Sequence, residues 1–264
     1  MRKLAVILAL VIGFWLPRTI HAAIAVVTSV ITGGTQHSVT TTGVDTSGAN
    51  LIVLLVSSYH AGGAVTVSDS KSNTWTALTQ RNSTTDIRAR LYYCASPTVG
   101  ASHTFTASGS GIYPSLGAIA FSGAAASPFD LESGGAAESG TTSQPGSITP
   151  GENNCVLVSG VGNGGTGMSI NSGFTASSVD FSFGAHNGGG IAYKIQTTAG
   201  AENPTWSWTT SSANATAMAS FKAEAAAGGG NSYYYQRAIG YWRPVRNILR
   251  VTHERDWIRF LRKQ

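Results

Sequence analysis

The two acidic residues best placed for acid/base chemistry in this chain are Asp130 and Glu132, two positions apart in Asp130-Leu131-Glu132. Residues i and i+2 of an extended strand share a face, so the two carboxylates are expected side by side. Glycosidases use such pairs, one as acid and one as nucleophile or base, at separations of roughly 5 to 9.5 Å. No neighbouring pattern here points to a raised pKa, and paired carboxylates on a surface strand are ordinarily solvated. No catalytic residue is therefore assigned.

Oxygen-rich chemistry is offered by Asp69-Ser70-Lys71-Ser72-Asn73-Thr74-Trp75. Asp, Ser and Asn bond to nearby backbone, so this stretch reads first as a tight turn with Trp75 falling back on the core. The alternative makes Asp69 and Asn73 ligands of a calcium ion, the one cofactor the sequence suggests. Calcium needs roughly six or more oxygens, and few are present locally. The six histidines show no H-x-H or H-E-x-x-H spacing, which leaves zinc without support. Tyr59, His60 and Tyr113 fall between strand-like runs, where loops on a rigid scaffold carry function, and are the candidate ligand-binding residues.

Three further motifs have plainer readings. Gly160-Val161-Gly162-Asn163-Gly164-Gly165 formally satisfies G-x-G-x-x-G, but a dinucleotide site needs a helix to follow and none is expected after it. Its glycines, like Gly188-Gly189-Gly190, are expected to form flexible loops. Cys94 and Cys155 are the only cysteines; if paired, they would close a loop of about 61 residues and contribute on the order of 4 kcal/mol. Against pairing, Cys94 is expected to face outward and Cys155 to start a buried strand. Asn82-Ser83-Thr84 and Asn214-Ala215-Thr216 fit the pattern of glycan acceptors.

The elements that position these groups are organised by a repeat. LYYCASPTVGASHTFTASGSGIYPSLGAIAF, from Leu91 to Phe121, returns as IAYKIQTTAGAENPTWSWTTSSANATAMASF, from Ile191 to Phe221. Tyr93 answers Tyr193, Gly100 answers Gly200 and Phe121 answers Phe221. Two copies of so long a period indicate duplicated halves of one domain, about 48–123 and 152–223, rather than a solenoid. Leu51–Val56 is a continuous apolar run, the mark of a strand buried on both faces. Trp206 and Trp208 alternate and share a face; the repeat sets Trp206 where the first half has Phe105, which favours the core. Abundant Gly, Ser, Thr and Ala with only 11% charged residues fits many short strands. The expected fold is an all-β antiparallel two-sheet sandwich, jelly-roll-like, spanning 23–224. Its core should include Leu51, Val53, Leu55, Trp75, Tyr93, Phe105, Phe121, Val156, Val158, Tyr193, Trp206 and Phe221.

The strings SDSKSNTWTAL, RLYYCASPTVGASHTFT and PSLGAIAFSGA resemble a group of uncharacterised secreted bacterial proteins whose modules are jelly-roll-like sandwiches of the adhesin- and lectin-associated kind. The resemblance covers about 48–223. It implies a fold and an extracellular setting, and it brings no catalytic residues.

Charge and the chain ends complete the reading. Residues 23–232 hold six Lys or Arg against ten Asp or Glu, whereas 233–264 hold eight against two. The basic balance belongs to the ends, which excludes the body from the nucleic-acid-binding class. Met1–Ala22, with Arg2-Lys3, an apolar run and a small residue at its end, reads as a signal peptide. Residues 225–232 read as a linker. Tyr233 to Gln264 reads as a basic aromatic tail, helical from Val245 to about Leu261 or disordered, with anionic surfaces as its partner. The functional expectation is a secreted, non-catalytic module that binds glycans or a cell or extracellular surface. The alternatives are a self-associating structural subunit of an extracellular assembly and, further off, a polysaccharide-degrading enzyme.

Overall fold

The computed structural model describes residues 23–33, 37–59, 61–84, 86–183, 187–225, 235–238 and 241–244. The expected signal peptide, His60, the linker beyond residue 225 and the expected helix from Val245 lie outside them. The chain divides into two units, Met1–Ala226 and Ala227–Gln264. In the first unit the strands are β1 (Ala25–Gly33), β2 (Ser38–Thr40), β3 (Leu51–Tyr59), β4 (Thr66–Asp69), β5 (Thr76–Ala77), β6 (Arg81–Asn82), β7 (Ile87–Ala95), β8 (Phe105–Ser108), β9 (Ser115–Ser122), β10 (Ala124–Ala137), β11 (Thr142–Ser143), β12 (Cys155–Asn163), β13 (Ser169–Ile170), β14 (Thr175–Phe183), β15 (Asn187–Gln196), β16 (Trp206–Ser207) and β17 (Asn214–Ala223). The second unit contributes an antiparallel pair, β18 (Tyr235–Ala238) and β19 (Tyr241–Pro244), where no strand was expected. The described residues contain no helix, and every strand pairing among them is antiparallel.

Two large sheets dominate, ordered β1-β9-β3-β7-β5, with β6 also on β7, and β10-β17-β12-β15-β14. They pack face to face, with β3 against β12, β7 against β17 and β9 against β15. Leu51, Val53, Leu55, Leu91 and Phe121 of one meet Val156, Val158, Ile191, Ala219 and Phe221 of the other in a central core. Each large sheet is also covered on its outer face by a small one. The small sheet β2-β8-β4 closes over Ile52, Leu54, Val56 and Tyr92, while β11-β16-β13 closes over Cys155, Leu157, Val161 and Met218. The result is four layers and three cores, where the sequence suggested two sheets and one core.

Layering explains the runs that do not alternate. Leu51 to Val56 are all at most 2% exposed because β3 has apolar neighbours on both sides. Burying six such side chains contributes on the order of 10 kcal/mol as an upper bound. All twelve expected core residues lie in or against these clusters, with Trp75, Tyr93 and Tyr193 at their margins.

The two sheets share their register. Leu51 pairs with Phe121 and Val53 with Tyr93; Val156 pairs with Phe221 and Val158 with Tyr193. Each outer strand carries a register shift at the matching place, between Val26 and Thr28 in β1 and between Phe129 and Leu131 in β10. The shared register therefore reaches back two strands beyond residues 48 and 152, to β1 and β10.

Several expectations are corrected here. Gly160 and Gly162 lie inside β12 and Gly188–Gly190 inside β15, not in flexible loops. A Cβ on Gly160 would sit 2.6 Å from Leu55 Cδ1, so the glycines let the facing sheets approach. Cys94 and Cys155 are both free and buried. Cys94 pairs with Ile52 on the outer face of one sheet, and Cys155 belongs to the core on the outer face of the other. The whole central core separates them, far beyond the roughly 7 Å that a disulfide spans between Cα atoms. Asn214 is fully buried and cannot accept a glycan in the folded chain, whereas Asn82 is exposed.

Candidate functional site

At one end of the stacked sheets β3 ends at Tyr59, β7 begins at Ile87, β12 ends at Asn163 and β17 begins at Asn214. Between these strand ends opens a cleft of about 310 Å³ lined by Tyr59, Asp86, Ile87, Gly164, Ser211, Ser212 and Ala213. Both large sheets contribute to it.

Each lining group is held by its neighbours. The Tyr59 amide donates to Ile112 O at 2.7 Å, and its ring meets Tyr113 edge to face at 6.3 Å. Tyr113 adopts φ +44°, in the left-handed region that a non-glycine residue enters at a cost of about 1–3 kcal/mol. Fully buried Ile112 anchors that loop. On the opposite wall the buried Ser83 hydroxyl accepts from the amides of Asp86 and Ile87, at 3.1 and 2.9 Å, which fixes where the exposed Asp86 carboxylate emerges. The Ser212 amide donates to Gly140 O, while its buried hydroxyl has no hydrogen-bond partner among the described residues. Among the described residues the cleft thus combines a tyrosine ring, one carboxylate and two serine hydroxyls. Such a set can stack on C–H faces and hydrogen-bond to hydroxyl groups.

Of the expected ligand-binding residues, the structure brings Tyr59 and Tyr113 together, and His60 lies outside the described residues. Asp86, Ser211 and Ser212 carry no sequence signal; they become a site only through strand ends distant in the chain. A second, shallower groove of about 430 Å³ runs past Thr74, Thr76, Tyr93 and Ser127–Phe129, over the stacked rings of Tyr93 and Phe129, 5.8 Å apart.

Asp130 and Glu132 do not form the expected pair. The register shift in β10 falls between Phe129 and Leu131 and turns them to opposite faces. Asp130 accepts from Gly151 N and Ser220 Oγ at 2.9 and 3.0 Å; Glu132 accepts from the amide and hydroxyl of Thr79 at 3.0 and 2.6 Å. Both are structural clasps.

The Asp69 loop has a different occupant from the one considered. The carboxylate accepts from Lys71 N at 2.7 Å, Trp75 Nε1 at 2.8 Å, the backbone and side chain of Asn73, and His103 Nε2 at 3.1 Å. Asn73 in turn spends its side chain on Thr98, accepting from its amide and donating to its carbonyl. Donors crowd the oxygens that calcium would need, so a cation does not fit. His103 Nδ1 meets Thr46 Oγ1 at 2.9 Å, and Gly100 N donates to that hydroxyl at 3.1 Å. The hydroxyl–imidazole–carboxylate order is that of a nucleophilic triad. Here Thr46, His103 and the Asp69 side chain are all 0% exposed, so no substrate reaches the hydroxyl. Thr46 and His103 are 57 residues apart, and no local spacing signals their meeting.

Fold and cleft together define an all-β protein of stacked antiparallel sheets with a polar and aromatic cleft at one end. No protein family, curated protein or solved structure matches the chain.

Proposed function

We propose that this chain is a secreted, non-catalytic module that binds glycans or a cell or extracellular surface through the end cleft. The observation that carries the reading is the convergence of Tyr59, Asp86, Ser211 and Ser212 on one cleft. A sugar ring offers C–H faces to an aromatic side chain and hydroxyl groups to a carboxylate and serines, and such sites are mostly pre-formed. Export is supported by the Met1–Ala22 pattern.

The same proposal treats the body as two related jelly-roll-like halves. Three correspondences support it: the identical strand order of the large sheets, the shared register at Phe121 and Phe221, and the matching bulges in β1 and β10. Bulges are retained features of a family rather than accidents. Within the first half β1 pairs with β9, β2 with β8 and β3 with β7; within the second, β10 pairs with β17, β11 with β16 and β12 with β15. Such nesting is what a long hairpin produces when it rolls into a barrel-like sandwich.

The test is a glycan array and polysaccharide pull-down with the wild-type chain, Tyr59→Ala and Asp86→Asn. Selective retention that falls at least about tenfold in both variants is expected, a loss typical of removing a stacking ring or a charged hydrogen bond. Retention unchanged in both variants, or none on any glycan, would remove the cleft from consideration.

A further inference from the structure

Outside the cleft, β7 carries Arg88, Arg90 and Tyr92 on the face that lies under the small sheet β2-β8-β4. Arg88 is only 7% exposed. Its Nε donates to Ser58 Oγ at 2.8 Å and its terminal nitrogen to Gly63 O, and the guanidinium has no further partner among the described residues. Arg90, half-buried, donates from Nε to Leu78 O at 2.6 Å and lies 5.3 Å from the centre of the Tyr92 ring. The Tyr92 side chain is 4% exposed, and its hydroxyl lies beside the Arg90 guanidinium without completing a well-formed hydrogen bond to any described residue.

Neither guanidinium has a counter-charge among the described residues. Ion pairs among the described residues are His103–Asp69 and Lys194–Glu202. Asp86, two residues before Arg88, is exposed on the end cleft and pairs with neither arginine. A buried cation without a partner is expensive, and here buried Arg88 stands beside half-buried Arg90 in a body whose overall balance is acidic.

The second half supplies an internal control, which rests on the correspondence between halves. Tyr93 matches Tyr193 by register, so Arg88, Arg90 and Tyr92 match Gly188, Gly190 and Ala192. There the space is filled by tryptophan: a Cβ on Gly190 would lie 2.7 Å from the Trp206 ring, whose Nε1 donates to Ser159 Oγ at 2.9 Å. The fold can therefore close this position with glycine and indole. Two arginines and a phenol are not required by it.

We infer that Arg88, Arg90 and Tyr92 form an oxyanion-binding site at the margin of the small sheet β2-β8-β4 that covers the first half. The site takes the sulfate, phosphate or carboxylate group of an acidic polymer, with half-exposed Arg90 at the entrance and buried Arg88 and the Tyr92 hydroxyl behind it. Guanidinium groups suit this chemistry because their planar donors match oxyanions in charge and geometry. The inference does not depend on sugar binding at the end cleft.

The experiment follows thermal unfolding of the full-length chain during titration with sodium sulfate, sodium phosphate or sodium glucuronate, with ionic strength held constant by sodium chloride. At least one anion is expected to raise the midpoint saturably, and the three arms identify which oxyanion class the site prefers. Arg90→Gln and Tyr92→Phe should each weaken the apparent affinity about tenfold or more. Arg81→Gln, which changes a guanidinium on β6, should titrate like the wild type. If Arg88→Gln does not fold, Arg90→Gln and Tyr92→Phe carry the test unaided. Stabilisation by none of the three anions, or equal stabilisation of wild type, Arg90→Gln and Tyr92→Phe, overturns the inference, as does an Arg81→Gln loss equal to that of Arg90→Gln.

Discussion

Tyr93 packs edge-on against Phe221, with ring centroids 5.5 Å apart, and Tyr193 meets Phe121 in the same manner at 5.9 Å. Each tyrosine comes from one large sheet and each phenylalanine from the facing one. The contacts interchange when the two sheets are interchanged, which is how a local two-fold axis between β3 and β12 would act. Such an axis makes equivalent residues meet one another, and two equal large side chains cannot share one space. Leu55 and Gly160 occupy matching registers, beside Gly117 and Ala217, and face each other between the two sheets; Ser57 and Gly162 do the same. Large opposite small resolves the conflict.

Gly160→Ala should therefore destabilise the chain by about 1–3 kcal/mol, the usual penalty for overpacking. Leu55→Ala alone should cost about 2–5 kcal/mol through the cavity it leaves. Combined, the two changes should fall short of additivity by about 0.5–3 kcal/mol, as expected for residues in contact. Urea unfolding of the four proteins measures this coupling, and strict additivity would show that the two positions do not touch.

The Asp69 network predicts a second set of effects. His103→Ala removes a donor from a buried carboxylate and leaves the Thr46 hydroxyl without its imidazole, which should cost roughly 1–3 kcal/mol. His103→Gln, which retains a donor, should recover part of the loss. Calcium chloride or a chelator should leave the unfolding midpoint of the wild type unchanged, because N–H donors already occupy the carboxylate. A saturable calcium-dependent rise would show that the loop rearranges around the ion.

How much of this was readable in the sequence depended on how local each signal was. The run Leu51–Val56 announced a doubly covered strand because lack of alternation is itself the signal of burial on both faces. Tyr93, Phe121, Tyr193 and Phe221 were legible because the chain repeats them at one spacing. The covering sheets were not, since β2, β4, β11, β13 and β16 have only two to four residues each and too few side chains to show a period. The bulge that separates Asp130 from Glu132 follows Pro128, but Asp130-Leu131-Glu132 itself holds neither glycine nor proline, so uninterrupted alternation placed both on one face. The end cleft and the pairing of Thr46 with His103 assemble from segments far apart in the chain, and residue spacing carries no trace of either.

The clasp between Glu132 and Thr79 joins the edge of the second large sheet to the loop between β5 and β6 of the first. Glu132→Gln keeps the shape but removes the charge, and Glu132→Ala removes both acceptors. The loss should be graded, larger for alanine and about 1–3 kcal/mol there, because each bond is charge-assisted. Hydrolytic activity plays no part in this expectation. If the panel of polysaccharides is cleaved by the wild type and not by Glu132→Gln, the residue is catalytic and its role as a clasp is incomplete.

The two cysteines supply the last prediction, through their pKa values. Burial is the largest cause raising both thiols, followed by the Asp69 carboxylate at Cys94 and by Asp130 at Cys155, where the value is pushed up to about 11. Only the thiolate attacks a disulfide reagent, so the folded chain at pH 8 should react with an aromatic disulfide no faster than it unfolds. In denaturant without reductant, both thiols should be titrated, since neither is bridged. The pH dependence has a definite sign. Cys155 ionises near 9.0 in an unfolded chain and near 11 in the folded one, so its contribution is fully present below pH 9 and is lost as pH rises from 9 towards 11. Cys155→Ala should flatten that decline, on top of a pH-independent drop in the unfolding midpoint from removing a fully buried sulfur. Rapid reaction of one thiol in the native chain would mean that its strand opens far more readily than its burial implies.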